Sequence, residues 1–562
     1  MLRPSPLFLA LLLNLFFLAL YFAFGIVQHG SLDDYFMSSI LTGAYGGAYD
    51  IHMYFVSSAY GYFLKPFYWL FPKVGWYFII ELTGTFAAFT TFTYFLIQRM
   101  GTRMGVALST LLLASLTPDF YFQLSFTQCA TIYTAAGILT FFFAQGKKRL
   151  LILGSLFLFA GSVMRWEGYL LGAPYLVIFV FLQIILRQHS WKINLITICI
   201  CLSAIYGVHK VDRSLYTESE YKYYAAYQGP RSFFGDGAFY DRQSTFDELQ
   251  EREKNGPDLR LLNNWMFYDT EVFSRDSLLS IIDIANNNLY TPNPKRMPVA
   301  FFMAVSRELT RSLGWCWAIF CIFLLLAKSR LSNYYPWVSL GIIGISIGYL
   351  LLVNRLAYHV ESGIWLYAIT CSIFFMPKGV LIPAAFMAKW NKVVPIFLLA
   401  LAFFFAYFGI TEQESFKKNW HIIEHMQVPK DWHDFLEYAK HHDEDVFLLS
   451  FEKYKVLGAL KNPPYKAIEP GSWNNIFSWG YWNIHLPAMK QELKNRGIEN
   501  PIRDIIHKNV YLLEDNNQPT LQEFYKTHYH DSLWVDTAKT FGNLMLLQYH
   551  STKEQDAEGV QQ

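Results

Sequence analysis

Charge is what this sequence has least of: Asp, Glu, Lys and Arg make up 16% of its 562 residues, against 53% hydrophobic and 18% aromatic content. A chain so poor in charge cannot cover a water-facing surface of ordinary composition, which excludes a typical soluble enzyme and makes the bilayer its solvent. The formal net charge of +2 shows no basic excess, and no nucleic-acid partner is expected. Cysteine is scarce as well. Cys129, Cys199, Cys201, Cys316, Cys321 and Cys371 all fall in or at apolar runs, so the loops between those runs have no disulfide framework. Also missing are an internal repeat, a low-complexity tract, a nucleotide-binding glycine loop and any metal-ligand spacing.

What is present is a series of apolar runs of membrane-spanning length, since a helix satisfies all its backbone amides within itself in hydrocarbon. About eleven are counted against a span length of about 17 to 25 residues, the third and fifth being short. They lie at 7–27, 75–97, 104–117, 128–145, 149–164, 168–186, 192–209, 312–327, 335–353, 361–376 and 393–411. A cytoplasmic N-terminus places Arg99 and Arg103, then Lys147, Lys148 and Arg149, then Arg187 and Lys192, then Lys328 and Arg330, then Lys378, Lys389 and Lys392 inside. This is the positive-inside arrangement. The first run has no small-residue cleavage pattern behind it and reads as a retained signal anchor. The expected fold is therefore a polytopic α-helical membrane protein.

The domain plan is a transmembrane part over 1–411, a soluble domain over 412–550 on the non-cytoplasmic side, and a disordered tail over 551–562. Two long loops leave the membrane on that side. The first, 28–74, is rich in aromatics, glycine and proline and predicts short interfacial helices forming a lid. The second, 210–297, reads as helical pieces broken by glycine and proline. The C-terminal part alternates VFLLS, NVYLL, SLWV and LMLLQY with helix-like PAMKQELKNRG and TLQEFYKTHY, predicting a small α/β domain.

The candidate chemistry collects at the non-cytoplasmic ends of the runs. Asp33 and Asp34 stand just beyond the first run, where adjacent carboxylates repel and call for a donor or a cation. A solvated turn, or a cap at the helix start before YFMSSIL, is the structural alternative. Asp119, Arg165, Glu167, Arg355, His359 and Glu361 follow other runs ending on the same level. Singly each reads as an interfacial charge. Together they form a place where arginine can hold a phosphate. Glu81 is the acidic residue inside a run, a functional candidate by its position. His52 can pair with Asp50.

HGSLDDYFMSSILTGAYGGAYD, with an acidic pair in the first loop after the first span, resembles the GT-C superfamily of membrane glycosyltransferases. The later MRWEG, LLNNWMFYDTEVFS and SWGYWNIHLP segments resemble a group of bacterial surface-polysaccharide membrane proteins. The resemblance implies a polyprenyl-phosphate-linked sugar donor, a glycan or lipid-linked acceptor, membrane lipids as surroundings and a place in the bacterial inner membrane. It further implies that Asp33 or Asp34 acts as base or holds a divalent metal, Mg or Mn, with Asp119 as a further ligand. Arg165, Arg355 and His359 would meet the donor phosphate, and Asp119, Glu167, Glu361 and Glu81 would support them. No WWDYG-type motif occurs, so an oligosaccharyltransferase with a peptide acceptor is not expected. Two other readings stay open. One is a flippase or transporter of lipid-linked saccharide, against which the lack of a repeat weighs. The other is a polysaccharide polymerase or ligase using Arg231, Arg242 and Arg252 of the long loop.

Overall fold

A computed structural model describes residues 4–552, apart from 25–26, 28, 123, 187–189, 218, 236–239, 252–255, 290–296, 328, 354, 379–392, 412–429, 460–462 and 515–518. Arg187, Arg252, Lys328, Lys389, Lys392 and residues 553–562 of the expected tail thus lie outside the described residues.

The helices run in chain order as α1 (Pro6–Phe24), α2 (Leu32–Leu41), α3 (Ser58–Leu70), α4 (Trp76–Met100), α5 (Thr102–Thr117), α6 (Phe126–Ala144), α7 (Lys148–Met164), α8 (Trp166–Leu171), α9 (Ala173–Leu186) and α10 (Trp191–Thr217). After the long loop's α11 (Lys222–Gly235), α12 (Arg242–Glu251), α13 (Gly256–Asn263) and α14 (Arg275–Asn287) come α15 (Met297–Leu309), α16 (Ser312–Leu325), α17 (Arg330–Leu352), α18 (Tyr358–Phe375) and α19 (Val393–Thr411). Seven of these are long and apolar enough to cross a membrane: α1, α4, α5 with its π-turn extension to Phe122, α6, α10, α17 and α19. The protein is membrane-embedded. The other four expected spans coincide with helices that fall short alone. Of these, α7 has 17 residues, and α9 and α16 have 14 each. The fourth, α18, carries His359 and Glu361 within its first turn.

At the centre is α6, with nearly every residue buried, packed by α4, α7 and α18. Small residues allow the closest approach. A Cβ on Gly161 of α7 would lie 2.2 Å from Thr134 Oγ1 of α6, so backbone-to-side-chain packing there needs glycine. Around this core α1, α10, α17 and α19 turn apolar faces outward, with Phe16, Ile200, Ile345 and Phe403 exposed, as helices solvated by lipid do. Buried Asn14 ties α1 inward, donating to Thr90 Oγ1 at 2.9 Å and accepting from Tyr121 at 3.0 Å.

The two long loops are more helical than their composition predicts. Gly229 and Pro230 do not break α11, which runs through both, and α10 continues eight residues past 209 to Thr217. In the first loop, α3 leaves Tyr62, Phe63, Trp69 and Leu70 exposed, an aromatic face suited to an interface.

The C-terminal part is α20 (Lys430–His441), β1 (Val446–Leu449), α21 (Phe451–Ala459), β2 (Ile476–Ser478), α22 (Pro487–Asn495), β3 (Val510–Glu514), α23 (Pro519–Tyr529), β4 (Leu533–Phe541) and β5 (Leu544–Ser551). Its sheet has the order β2-β1-β3-β5-β4. Here β1 is parallel to β2 and β3, while β5 is antiparallel to β3 and β4. All four residues of VFLL in β1 are buried, the mark of a central strand covered on both faces. Four of the strands match the apolar runs read from sequence. The fifth, β2, is three residues inside a turn-rich stretch and gives no periodic signal.

Candidate functional site

Ser31 caps α2 and puts the acidic pair in that helix's first turn. Its hydroxyl accepts from the Asp34 amide at 3.2 Å and donates to Asp34 Oδ2 at 2.5 Å, a side-chain N-cap reinforced by a bond between the two side chains. The helix start expected here is present, but its cap is Ser31, and both aspartates lie inside the first turn rather than at the cap.

Asp34 points inward and is wholly buried. Its Oδ1 accepts from Tyr77 Oη of α4 at 2.8 Å and from the Phe126 amide at the start of α6 at 3.0 Å. Burial pushes its carboxyl up to about 7, partly opposed by the bonds from Ser31, Tyr77 and Phe126. Asp34 is thus a pin joining α2 to two membrane helices. Asp33, one residue earlier, turns to the C-terminal domain. Its Oδ1 accepts from Tyr481 Oη at 2.5 Å and from Trp482 Nε1 at 2.8 Å. Burial, with the Asp33 charge adding to it, holds the Tyr481 phenol far above its usual range, so it stays a donor.

The SWGYWNIHLP segment carries both donors, and glycine fixes its path. A Cβ on Gly480 would fall 2.0 Å from Trp265 O, and the Phe267 amide bonds to Trp479 O at 3.0 Å beside it. Only glycine allows that approach. The seam between α2 and this domain is closed by Phe36 stacked on Tyr454 at 4.4 Å and by hydroxyl contact between Tyr45 and Tyr454.

A run of rings connects Asp33 to the basic side. Trp482 meets Phe55 at 5.1 Å, Phe55 lies on Phe126 at 5.9 Å, and the Arg165 guanidinium sits over Phe126 at 4.9 Å. Arg165 also donates to Thr127 Oγ1 at 2.6 Å. Its pairing with Glu167, at 3.6 Å to a largely exposed carboxylate, contributes little. His359 is close enough to feel the Arg165 charge. Asp33 and Arg165 thus stand at the two ends of one run of rings, Trp482, Phe55 and Phe126.

The remaining predicted residues lie elsewhere. Asp119 bonds to Tyr358, and Glu361 is buried against Arg307. Both belong to a second polar cluster at the break between α15 and α16, where the helices bend by 84°. There Arg311 lies 4.0 Å over the Tyr358 ring and 3.4 Å from buried Glu308. Arg355 is exposed, and no side-chain partner among the described residues holds it. Glu81 is wholly buried in α4, one turn after Tyr77, and neither of its oxygens has a well-formed hydrogen bond. Asp33, Asp34 and Asp119 do not fit a divalent metal as they stand. N–H and O–H donors point at the oxygens a metal needs, and no three acidic, histidine or cysteine side chains converge among the described residues.

Comparison of the chain with family profiles, with curated proteins and with solved structures finds no match. The site therefore stands on its own geometry. Sequence reading missed Tyr481 and Trp482 as partners of Asp33, because 448 and 449 residues separate them. It also missed Arg307, Glu308 and Arg311, for which a signal existed: SRELTRS places three charged and three polar residues between two apolar runs.

Proposed function

We propose that the protein is a membrane glycosyltransferase of the GT-C kind, moving a sugar from a polyprenyl-phosphate donor to a glycan or lipid-linked acceptor. The observation that carries this reading is the pairing, across one aromatic-walled region, of a carboxylate held by neutral donors with a guanidinium whose nearest acid is largely exposed. Transfer from a phosphate needs both. Positive charge must meet the leaving phosphate as it gains charge, which suits Arg165. Negative charge must face the acceptor hydroxyl and the cationic sugar ring, which suits Asp33, as base or as charge. Asp34, sealed in the core, orients the helix that presents Asp33.

The basic loops favour a cytoplasmic N-terminus, and in this reading the site and the C-terminal domain face the opposite side, where lipid-linked sugars are used. The seven long helices, with α7, α9, α16 and α18 as shorter spans, would make up eleven crossings. Saccharide transport is the competing reading, and a site at helix ends beneath a folded domain favours chemistry over it.

The test incubates purified protein with a panel of polyprenyl-phosphate sugars. Asp33→Asn is expected to lower turnover by about 100-fold or more. A parent that consumes no donor, or an Asp33→Asn variant as fast as the parent, overturns the assignment.

A further inference from the structure

The loop between α2 and α3 holds a second pair that the site described above does not use. Asp50 Oδ1 accepts from His52 Nδ1 at 2.7 Å and from the His52 amide at 3.0 Å, and Asp50 Oδ2 accepts from Tyr221 Oη at 2.9 Å. Burial, and the Asp50 charge next to it, hold the Tyr221 phenol well above its ordinary value, so it remains a donor to Asp50. The His52 ring is clamped, stacked on Tyr221 at 3.5 Å and edge-on to Tyr216 at 5.2 Å. A hydrogen bond from Nδ1 to a carboxylate fixes the tautomer and leaves the lone pair on Nε2. No described residue bonds to that Nε2, and the side chain is 14% exposed.

The backbone here is held in a costly shape. Tyr54 has φ +65°, a left-handed conformation that a bulky residue rarely adopts, and its amide donates to Tyr216 Oη at 2.9 Å. One face of α10 does the holding. His209 stacks on Trp166 at 4.6 Å, Asp212 accepts from the Ser58 amide at 2.7 Å, and Tyr216 fixes Tyr54. Trp166 is the neighbour of Arg165, and Phe55, three residues after His52, is the ring between Trp482 and Phe126. Phe55 of the strained loop is therefore part of the ring run that joins Asp33 to Arg165. The Asp50 contact holds the imidazole through Nδ1, which makes Nε2 its acceptor nitrogen. A base oriented by a carboxylate has that geometry.

We infer that Asp50 and His52 form the proton-accepting dyad of this site, acting on the hydroxyl of the acceptor. The inference rests on the transferase reading and assigns the proton step to His52, leaving Asp33 to supply charge. His52 Nε2 takes the hydroxyl proton as the acceptor oxygen bonds to the anomeric carbon. The bond from that carbon to the donor phosphate oxygen breaks, and its electron pair leaves with the polyprenyl phosphate. The imidazolium then returns the proton to water. His52 is the catalytic residue of this step and Asp50 its positioning residue.

The experiment follows donor consumption by the full chain in lipid nanodiscs with the polyprenyl-phosphate sugar panel. His52→Ala is expected to lose about 100-fold or more in kcat with KM unchanged, and added imidazole to restore part of the loss. Asp50→Asn, which removes the charge that fixes the tautomer, is expected to lower kcat without lowering the melting temperature. If His52→Ala does not fold, His52→Gln carries the same kcat test. Parent-like turnover in the His52 variants, a loss confined to KM, or no response to imidazole in His52→Ala overturns the dyad while leaving the transferase reading intact. A parent that consumes no donor removes both.

Discussion

Two polar clusters stand near each other, and they are closed in opposite ways. At the break between α15 and α16, Glu308 and Glu361 are fully buried and each faces an arginine, while Asp119 and Tyr358 bond to each other. At the start of α2, Asp33 and Asp34 accept from neutral donors, and Arg165 pairs at 3.6 Å with Glu167, whose carboxylate is largely exposed. Carboxylates that already face arginines fit scaffold better than ligand binding. A carboxylate and a guanidinium kept apart and lined by rings can each take up a ligand's charge. The difference lies in what each charge already has.

That contrast is open to attack. The largest effect expected in the scaffold cluster comes from Arg307→Ala, which leaves Glu361 buried without its main counter-charge. It should cost about 3 kcal/mol or more of stability, read as a fall in the unfolding midpoint, while turnover per folded molecule stays at the parent level. A large activity loss at full stability would make the bend part of the site. Next in size is Tyr481→Phe, which removes one donor from Asp33. Losing a hydrogen bond to a charged group costs about 1.5–3 kcal/mol. In a transferase this should appear as a drop in kcat of about tenfold or more, since 1.4 kcal/mol is a factor of ten. An unchanged kcat would detach the C-terminal domain from the chemistry.

The smallest effect is a pH dependence of stability. The Asp34 carboxyl is raised to about 7 in the fold from an ordinary value near 3.8, so the folded state binds more protons than the unfolded chain between those values. Its stabilising contribution is therefore full below pH 3.8 and is lost as pH rises toward 7. His485, buried and lowered to about 3, acts in the opposite direction, because the unfolded chain gains a proton there as pH falls below its ordinary value of 6.5. Comparing variants separates the two. Melting temperatures of Asp34→Asn should fall less than those of the parent between pH 4 and 7, and an equal slope in the two proteins would count against a carboxyl raised by burial.

Much of the site could be read from the sequence, but not its division of labour. The acidic pair, Arg165 and His359 were all marked by their places at the ends of apolar runs. What separated Asp33 from Asp34 was the helical turn at Ser31, which sends adjacent side chains about 100° apart, one into the core and one toward Trp482. Asp119, Arg355 and Glu361 were marked by the same rule, and the fold takes Asp119 and Glu361 to the bend between α15 and α16 and leaves Arg355 exposed, because reaching the same level of a bundle does not mean reaching the same side of a helix.

The sequence by itself determined that the protein lives in a membrane, where its long helices run, and that an α/β domain follows them. Those properties depend on composition and short-range periodicity, and burial in lipid or in a sheet core demands them locally. Only the tertiary structure decided that α6 is the central helix, that Gly480 admits the loop bearing Tyr481 and Trp482, and that the last domain of the chain returns to grip the first aspartate after α1. Such contacts join residues hundreds of positions apart, and they form through packing geometry that no local pattern encodes.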